Sequence, residues 1–267
     1  LHTCFAGPVQ SGLTKMIVVG MGKTPSATTF HSAPTPQMKD MLFEMGRLLL
    51  DSGKILAGLA ILEDGYDETA EIHGVPAADI LRREPELLQR HRYYFPSLPL
   101  DRINVLVVDT IGKIYSGTGM DTNVIGYRGV RDGEDLPTPV IRIIAALSLA
   151  QASQGNAIGV GLADFITSRL RNAIDEQKTF LNTFTTGQMT RAKIPVTFRD
   201  DEQLVEMLTG RYGADDWVWI PNTLHLETLY ASESLRAQLE NNPKCAIDKG
   251  VELSFKGGHH LLQFDGV

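Results

Sequence analysis

The spacing of apolar residues predicts where the chain forms helices and where it forms strands. One stretch predicts an amphipathic helix that begins at Thr35-Pro36 and ends near Gly53, because apolar side chains recur every three or four positions. Its apolar face comprises Met38, Met41, Leu42, Met45, Leu48 and Leu49. Short apolar runs predict buried strands over 16–19, 55–62, 103–109, 194–198, 217–220 and 251–255. The run 55–62 is apolar throughout, as a parallel strand covered on both faces would be.

Further helices are predicted where apolar and polar residues mix at helical period. They cover 77–91 with a break near Pro85, 165–176, a segment capped by Asp200 or Asp201, and 232–239. The run 141–152 fits either a helix or a strand followed by a helix. Strands that alternate with helices predict an α/β fold with mostly parallel sheets. Residues 96–99, Pro-Ser-Leu-Pro, form the best boundary candidate, so we expect two α/β units over 1–98 and 99–267.

Composition narrows the class of protein. Of 267 residues, 43% are hydrophobic and 21% are charged, which is typical of a globular protein with a packed core. A net charge of −7 argues against binding to nucleic acid or to an anionic membrane. No apolar run approaches the ~18 residues of a membrane span, and no signal peptide is recognisable. Cys4 and Cys245 form no C-x-x-C pair, so we expect no iron–sulfur or zinc site and a reducing, cytoplasmic location.

Two histidines flank a lysine near the start of the chain. Lys15 follows Gly12, and it stands 13 residues after His2 and 16 before His31. Imidazole binds borderline metals and transfers protons near neutral pH. A lysine binds anions, or acts as a nucleophile once desolvated. A glycine turn with one lysine is common, and a lone histidine is more often solvated or capping, so the spacing alone does not decide the function.

The segment resembles the cofactor-anchoring stretch of the lactate-racemase-like family, which comprises isomerases that depend on a nickel-pincer cofactor. In that family a histidine, a lysine and a second histidine occur in this order. The resemblance implies that Lys15 carries the nickel-pincer nucleotide, a pyridinium thioamide/thiocarboxylate mononucleotide with nickel, through a thioamide link. It also implies that His31 ligates the metal and that His2 is one of two acid–base residues. Gly12 would belong to the cofactor-binding turn.

The chain departs from the family pattern at three positions of this segment, two of which are carboxylates in the family. The subgroup carries Pro-His-Thr-Asp-Phe and Glu-Ser-Gly, whereas this chain has Leu-His-Thr-Cys-Phe over 1–5 and Gln-Ser-Gly over 10–12. Two carboxylates are therefore replaced. Because the candidate site begins at residue 2, where chain ends fray, we expect the chain to be a fragment. The resemblance implies that the upstream part holds the second acid–base histidine.

A second glycine-containing segment follows the strand predicted over 103–109. It reads Ile-Gly-Lys-Ile-Tyr-Ser-Gly-Thr-Gly-Met-Asp-Thr-Asn-Val-Ile-Gly over 111–126. Ligands of open α/β sheets bind beyond the carboxyl ends of strands. Gly117 and Gly119 would let backbone N–H groups approach an anion there. The segment lacks the third glycine of a dinucleotide fingerprint and the ending of a P-loop, so a tight strand–helix turn explains it equally well.

The same segment resembles a stretch typical of one subgroup of the lactate-racemase-like family. The resemblance implies that Gly117, Gly119, Asp121 and Asn123 contribute to cofactor binding and that Arg128 holds the substrate. Residues 154–167 resemble this subgroup too. There we expect a glycine-rich turn before a helix capped by Asp164, with Asn156 and Asp164 as supporting residues.

The resemblance implies an isomerase, either a racemase or an epimerase, that acts on a 2-hydroxyacid or a sugar-acid-like substrate. A base removes the hydroxyl proton while hydride moves to the pyridinium ring, and return on the other face requires two acid–base groups. Cofactor and substrate are expected in the cleft between the two units, and cofactor-synthesis proteins are expected partners. Two alternatives stay open: a non-catalytic ligand-binding relative of this fold, and a nucleotide-dependent oxidoreductase that uses 116–119 for phosphates.

The remaining histidines carry weaker predictions. His73 and His91 lie in a charge-rich region, where we expect them to be solvated. His225 is a weak candidate for function. His259 and His260 are adjacent in an extended segment and would point to opposite faces, so we do not expect them to share a metal ion. The sequence identifies neither the substrate nor the oligomeric state.

Overall fold

The structure, a computed structural model, describes residues 12–33, 35–66, 68–91, 93–94, 97–126, 139–243, 245–253 and 259–265. Its contacts divide the chain into two compact units. The first contains the described residues between 12 and 94 together with Phe184–Gln188, and the second contains the others. The predicted domain boundary between residues 98 and 99 stays a prediction. Within the described ranges, no helix combines the length and the apolar character needed to cross a bilayer.

The first unit begins with a run of helices and continues into a hairpin and a last helix. Its elements are α1 (Leu13–Lys15), a π-helix (Met16–Gly20), α2 (Lys23–Ser32), α3 (Thr35–Asp51), β1 (Ala57–Glu63), β2 (Thr69–Pro76), a 3₁₀ turn (Ala77–Asp79) and α4 (Ile80–His91). The helix predicted from Thr35 is confirmed. Gly53 follows its end with a φ of +68°, as a glycine that terminates a helix does.

The strand predicted over 16–19 is wrong, because these residues form the π-helix. Ile17 is buried in a cluster with β1, β2 and α4, whereas Val18 is buried in a cluster with α2 and α3. Met16 is 68% exposed. A short apolar run can be buried on two sides of a helix as well as in a strand, and periodicity over four residues does not distinguish them.

The strand predicted over 55–62 exists, but its expected pairing is wrong. β1 pairs with β2 in an antiparallel two-stranded sheet. Only one of its faces is buried: Ala60 and Leu62 are inaccessible, whereas Leu59 is 60% exposed. The apolar residues on the other face therefore misled the prediction of a strand covered on both sides.

The predicted break near Pro85 is also absent, since α4 continues through this residue. A proline inside a helix removes one backbone hydrogen bond and costs about 3 kcal/mol. Ile80, Leu87 and Leu88 of α4 are buried, and this packing offsets the cost.

The second unit is built on one eight-stranded sheet. Its elements are β3 (Arg102–Ile111), α5 (Thr122–Ile125), β4 (Val140–Leu149), 3₁₀ turns at Gln151–Ser153 and Val160–Leu162, β5 (Phe165–Thr167), α6 (Ser168–Ala173), α7 (Glu176–Thr186, whose end from Phe184 belongs to the first unit), a 3₁₀ turn at Met189–Ala192, β6 (Val196–Phe198), α8 (Asp201–Tyr212), β7 (Trp217–Ile220), β8 (Leu229–Ser232), a 3₁₀ turn at Glu233–Leu235, α9 (Arg236–Glu240), β9 (Ala246–Leu253) and β10 (His259–Asp265).

The strand order of this sheet is β6-β5-β4-β3-β7-β8-β10-β9. The first five strands are parallel, and β8, β10 and β9 continue the sheet in antiparallel pairs. Helices combined with a mostly parallel mixed sheet confirm the general α/β class. After β3 the chain adds β4, β5 and β6 on one side and then returns to place β7 on the other. The carboxyl ends of β3 and β7 therefore meet where the strand order reverses.

Several segments of the second unit differ from their predictions. Residues 165–176 form a short strand and then α6, because β5 pairs with β4 and β6 through its backbone. Asp164 does not cap this helix: its Oδ2 accepts the Ile144 N–H at 2.8 Å, and the Thr167 side chain caps α6. The run 140–149 is a strand, and residues 232–239 contain the end of β8 and two short helices. The strand at 217–220 is confirmed.

One core cluster of the second unit lies between the sheet and α8. Leu204, Val205 and Leu208 of α8 pack on β3 and β4, in contact with Val105 and Ala145. The helix begins after Asp200, whose side chain accepts the Gln203 N–H, so Asp200 is confirmed as the cap. β3 is buried on both faces in its centre, as its continuous apolar run predicts.

Candidate functional site

Lys15 ends α1, a single helical turn that a carboxylate from α4 holds in place. Glu84 Oε1 accepts a hydrogen bond of 3.0 Å from the Thr14 N–H, and Glu84 Oε2 accepts one from the Thr14 hydroxyl. The first N–H groups of a helix have no partner inside it, so the carboxylate supplies one. Glu84 is only 1% exposed. A Cβ at Gly12 would overlap its carboxylate, which explains the glycine of this turn.

Two further glycines allow neighbouring elements to approach the same turn. A Cβ at Gly46 on α3 would meet the methyl group of Thr14. One at Gly58 on β1 would lie 2.7 Å from a methyl carbon of Leu13. Glycine is the default residue where the backbone must come close to a side chain. Elements α3, β1 and α4 therefore enclose the turn that precedes the Lys15 side chain.

The backbone after Lys15 has unusual geometry. The five-residue π-helix follows at once, and Met21 N–H donates to Met16 O at 2.9 Å. π-helical turns are rare and often occur at functional sites. After the π-helix of this chain, Lys23 has a φ of +59°, and this conformation costs a non-glycine residue about 1–3 kcal/mol. The segment that joins the predicted anchor to the predicted nickel ligand therefore departs twice from regular backbone.

His31 lies in the last turn of α2 and is half-buried. Its ring meets the ring of Phe30 edge to face, with centroids 5.3 Å apart. Phe30 belongs to the buried cluster that also contains Val18 of the π-helix. Packing thus links the residue beside His31 to the helical segment that follows Lys15.

Glu84 is the residue that the sequence analysis missed. Its neighbours Arg82 and Glu86 are charged and exposed, and Arg83 is charged and partly exposed, so the sequence of this segment is typical of a solvated helix. A helical pattern could have identified it, because Glu84 lies four residues after Ile80 on the buried face of α4. Burial raises the pKa of the Glu84 carboxyl above its ordinary value of 4.5, and the hydrogen bonds from Thr14 oppose that rise.

Glu71 is a second carboxylate of the first unit, and its pKa is lowered rather than raised. Glu71 accepts hydrogen bonds from the Tyr94 hydroxyl at 2.6 Å and from Arg90 Nε at 2.6 Å, and it pairs with His73 Nε2 at 2.7 Å. These contacts, that of Tyr94 foremost, lower the pKa of Glu71 from 4.5 to about 2. His91 is 5% exposed, so the prediction that it is solvated is wrong, whereas His73 is partly exposed and pairs with Glu71.

In the second unit the predicted loop leaves the carboxyl end of β3 and is closed by its own polar groups. Ser116 O accepts the Gly119 N–H at 2.8 Å, and the Ser116 hydroxyl bonds the Thr118 hydroxyl at 3.0 Å. Gly112 N–H donates to Gly119 O at 2.9 Å. The Gly119 N–H is thus engaged within the loop rather than turned towards an anion. Gly117 is exposed, with open space where a Cβ would lie.

The glycines of the two resembling stretches contact each other. Gly119 has a φ of +87°, and a Cβ there would overlap the carbonyl oxygen of Ile158. Gly159 has a φ of +94°, and a Cβ there would overlap the carbonyl of Thr118. This backbone-to-backbone packing explains both glycines without a ligand. Asn156 supports the same turn, since its Oδ1 accepts the Ile158 N–H at 3.2 Å.

Asp121 lies where the loop from β3 meets the loop from β7. It is 6% exposed, and its N–H donates to the Thr223 hydroxyl at 2.9 Å. Asn222 shapes the second loop, because its Oδ1 accepts the N–H groups of Leu224 and His225. The β3 and β7 loops are therefore joined at the point of strand reversal, where open α/β sheets bind ligands. Asn123 lies one residue into α5.

His225 also lies at this edge of the sheet. Its ring meets that of Tyr115 edge to face at 6.2 Å, and its Nδ1 is 3.7 Å from Glu227 Oε1. An aromatic ring, an imidazole and a carboxylate thus occur together beside the loop that carries Asp121. The sequence separates Tyr115 from His225 by 110 positions and gave no indication of this contact.

The predicted site residues that the structure describes fall into two groups, one in each unit. Lys15 and His31 lie in one helical run of the first unit, which Gly12 precedes, whereas Gly117, Gly119 and Asp121 lie in one loop of the second and Asn123 lies in the α5 that follows it. His2 and Arg128 lie outside the described residues, so their predicted roles stay predictions.

The described residues restrict how a metal could be held. No cluster of three or more His, Cys, Asp or Glu side chains suited to a metal occurs among them. A metal bound by the protein alone needs about four ligands or more. A group that brings most of the ligands itself needs only one imidazole, and the half-buried His31 fits that requirement. The half-buried Lys15 at a fixed turn fits a covalent tether.

Comparison of the chain with protein-family models, with curated proteins and with solved structures finds no match.

Proposed function

We propose that the chain is a racemase or epimerase of a 2-hydroxyacid or sugar-acid-like substrate that carries a nickel-pincer nucleotide on Lys15. The observation that supports this proposal most is the turn at Lys15. A buried carboxylate, two close glycine contacts and a π-helix fix the main chain from which this amine projects. Covalent attachment benefits from a nucleophile held in one position.

In this proposal each residue has one task. The Lys15 amine tethers the nucleotide, and the imidazole of His31 provides the protein ligand to nickel. When bound, the cofactor supplies the centre that accepts a hydride. His2 holds and releases the substrate hydroxyl proton, and the guanidinium of Arg128 binds a carboxylate in a bidentate manner.

The test is the mass of the protein produced together with the enzymes that make the cofactor. We expect the peptide that contains Lys15 to gain the mass of the nucleotide, and Lys15→Arg to abolish the gain because a guanidinium does not form the link. Lys23→Arg is the matched control and should load like the unmodified chain. Nickel content should fall at least about tenfold in His31→Ala while the mass gain persists. An unmodified Lys15 in protein that has met the cofactor would contradict the proposal.

A non-catalytic ligand-binding relative is the second candidate. The replacement of two family carboxylates by Cys4 and Gln10 favours it. Chiral analysis of a panel of 2-hydroxyacids and sugar acids, incubated with loaded protein, separates the two functions. Inversion of one of them supports the enzyme, and loading without inversion of any supports the binding protein.

The nucleotide-dependent oxidoreductase has less support. The Gly119 N–H donates within the loop, and the Ser116 and Thr118 hydroxyls are buried against each other. These groups would have to leave their partners to bind a phosphate. Titration of the chain with NAD(H) in a calorimeter should therefore give no heat of binding at micromolar concentration.

A further inference from the structure

We propose that Glu84 is a positioning residue for Lys15: through Thr14, its carboxyl group fixes the direction in which the Lys15 side chain leaves the turn. What Lys15 attaches rests on the proposed function, whereas the positioning itself rests on the contacts within the first unit. The two parts are tested by different measurements.

Helix α1 is too short to define its own geometry. It has three residues, and Met16 N–H to Gly12 O at 3.2 Å closes its turn. Forming a first helical turn fixes several dihedral angles for one hydrogen bond and is unfavourable. Contacts from outside must therefore hold the turn, and the two hydrogen bonds from Thr14 to Glu84 are of that kind.

A carboxyl group is costly at the buried position of Glu84. Glu84 lies on the buried face of α4 between Ile80 and Leu88, where an apolar side chain would pack without desolvation. A buried polar group is tolerated when its hydrogen bonds are made. Both Glu84 oxygens bond Thr14, and Gly12 leaves room for them. The two hydrogen bonds between Glu84 and Thr14 therefore orient the turn, whereas an apolar side chain would only fill the core.

The position of the turn determines where the Lys15 side chain begins. Lys15 follows Thr14 directly, and its backbone begins the π-helix. A displacement of about 1 Å in a reacting group can lower a rate by about a hundredfold. Loss of the Thr14–Glu84 contacts should therefore lower attachment at Lys15 even where the unit stays folded.

The experiment compares Glu84→Met with Glu84→Gln. Methionine keeps the volume and removes both hydrogen bonds. Glutamine keeps them, because its amide oxygen accepts the Thr14 N–H and its amide nitrogen donates to the Thr14 hydroxyl. Acetylation by acetyl-N-hydroxysulfosuccinimide, followed residue by residue by mass spectrometry, reports the freedom of the Lys15 amine relative to Lys23 in the same molecule. Cofactor loading at Lys15 is measured in parallel.

In Glu84→Met we expect acetylation of Lys15 relative to Lys23 to rise roughly threefold, because the turn opens locally. Loading per folded molecule should fall roughly fivefold or more, because the amine is no longer directed. Glu84→Gln should stay within about twofold of the unmodified chain in both measurements. A purely structural role would lower the stability of folded protein without moving these two readouts in opposite directions.

Glu71→Met is the matched control, since it removes another hydrogen-bonded carboxylate of the first unit, one that does not contact Thr14. It should leave both readouts at Lys15 unchanged. If Glu84→Met does not fold, Thr14→Val removes the hydroxyl alone and should raise acetylation of Lys15 about twofold. Unchanged acetylation in Glu84→Met or, failing that, in Thr14→Val overturns the positioning role. An unmodified Lys15 in the natural sequence, with acetylation that responds as expected, overturns only the proposed function.

Discussion

Two glycine-containing segments of this protein, one around Lys15 and one around Gly119, were both predicted to bind a cofactor, yet they are held in different ways. Around Lys15 the glycines make room for side chains, and a buried carboxyl group fixes the turn. Around Gly119 the glycines make room for backbone, and the loop satisfies its own donors. The first arrangement fixes the main chain just before Lys15, whereas the second packs the backbone of one loop against the backbone of another. A glycine motif therefore indicates a position where another group approaches the backbone closely. Only the identity of that group shows whether the glycine makes room for a side chain or for another stretch of backbone.

The largest expected effect is in the second unit. Gly119→Ala would place a methyl group against the Ile158 carbonyl at a φ of +87°, so we expect a loss of about 3 kcal/mol in the free energy of unfolding. Both tryptophans of the chain lie in β7, so urea unfolding followed by tryptophan fluorescence reports on this unit. Gly117→Ala is the control and should change stability by less than about 0.5 kcal/mol. Equal effects of the two changes would contradict the packing account.

A smaller effect should follow from separating the loops of β3 and β7. Thr223→Val keeps the shape of the side chain and removes the acceptor of the Asp121 N–H, which is buried. We expect a loss of about 2 kcal/mol, measured with the same fluorescence assay. Thr197→Val removes an exposed hydroxyl and should have little effect. A loss confined to Thr197→Val would refute the proposed link between the loops.

The smallest expected effect is a pH dependence of local stability that differs between the two units. The pKa of Glu71 is lowered from 4.5 to about 2, so its stabilising contribution is complete above pH 4.5 and is lost as the pH falls towards 2. Glu84 has the opposite sign: its pKa is raised, so its contribution is complete below pH 4.5 and declines as the pH rises through the raised value. Hydrogen exchange of β2 should therefore accelerate between pH 4.5 and 3, after correction for intrinsic rates, more than that of β3. Glu71→Gln should remove this acceleration, and an acceleration that survives the change would assign it to another group.

Sequence patterns correctly predicted the elements that depend only on residues close together in the chain. The helix from Thr35, the strand over 217–220 and the Asp200 cap agree with the structure, because each depends on local spacing or on one capping side chain. The π-helix at 16–20 and the antiparallel β1–β2 hairpin were mispredicted. Their apolar runs are buried by partners far along the chain, and a short run does not encode which partner it meets.

The candidate site divides in the same manner. The sequence by itself determined which residue types are present and in what order: a lysine after a glycine turn, a later histidine, and a glycine loop after a buried strand. Only the tertiary structure decided that Glu84 reaches across 70 positions to Thr14, that Gly119 meets Ile158, and that Tyr115 meets His225. The reason is physical, since hydrogen bonds and close packing act over a few ångströms in space whereas patterns act over a few residues along the chain.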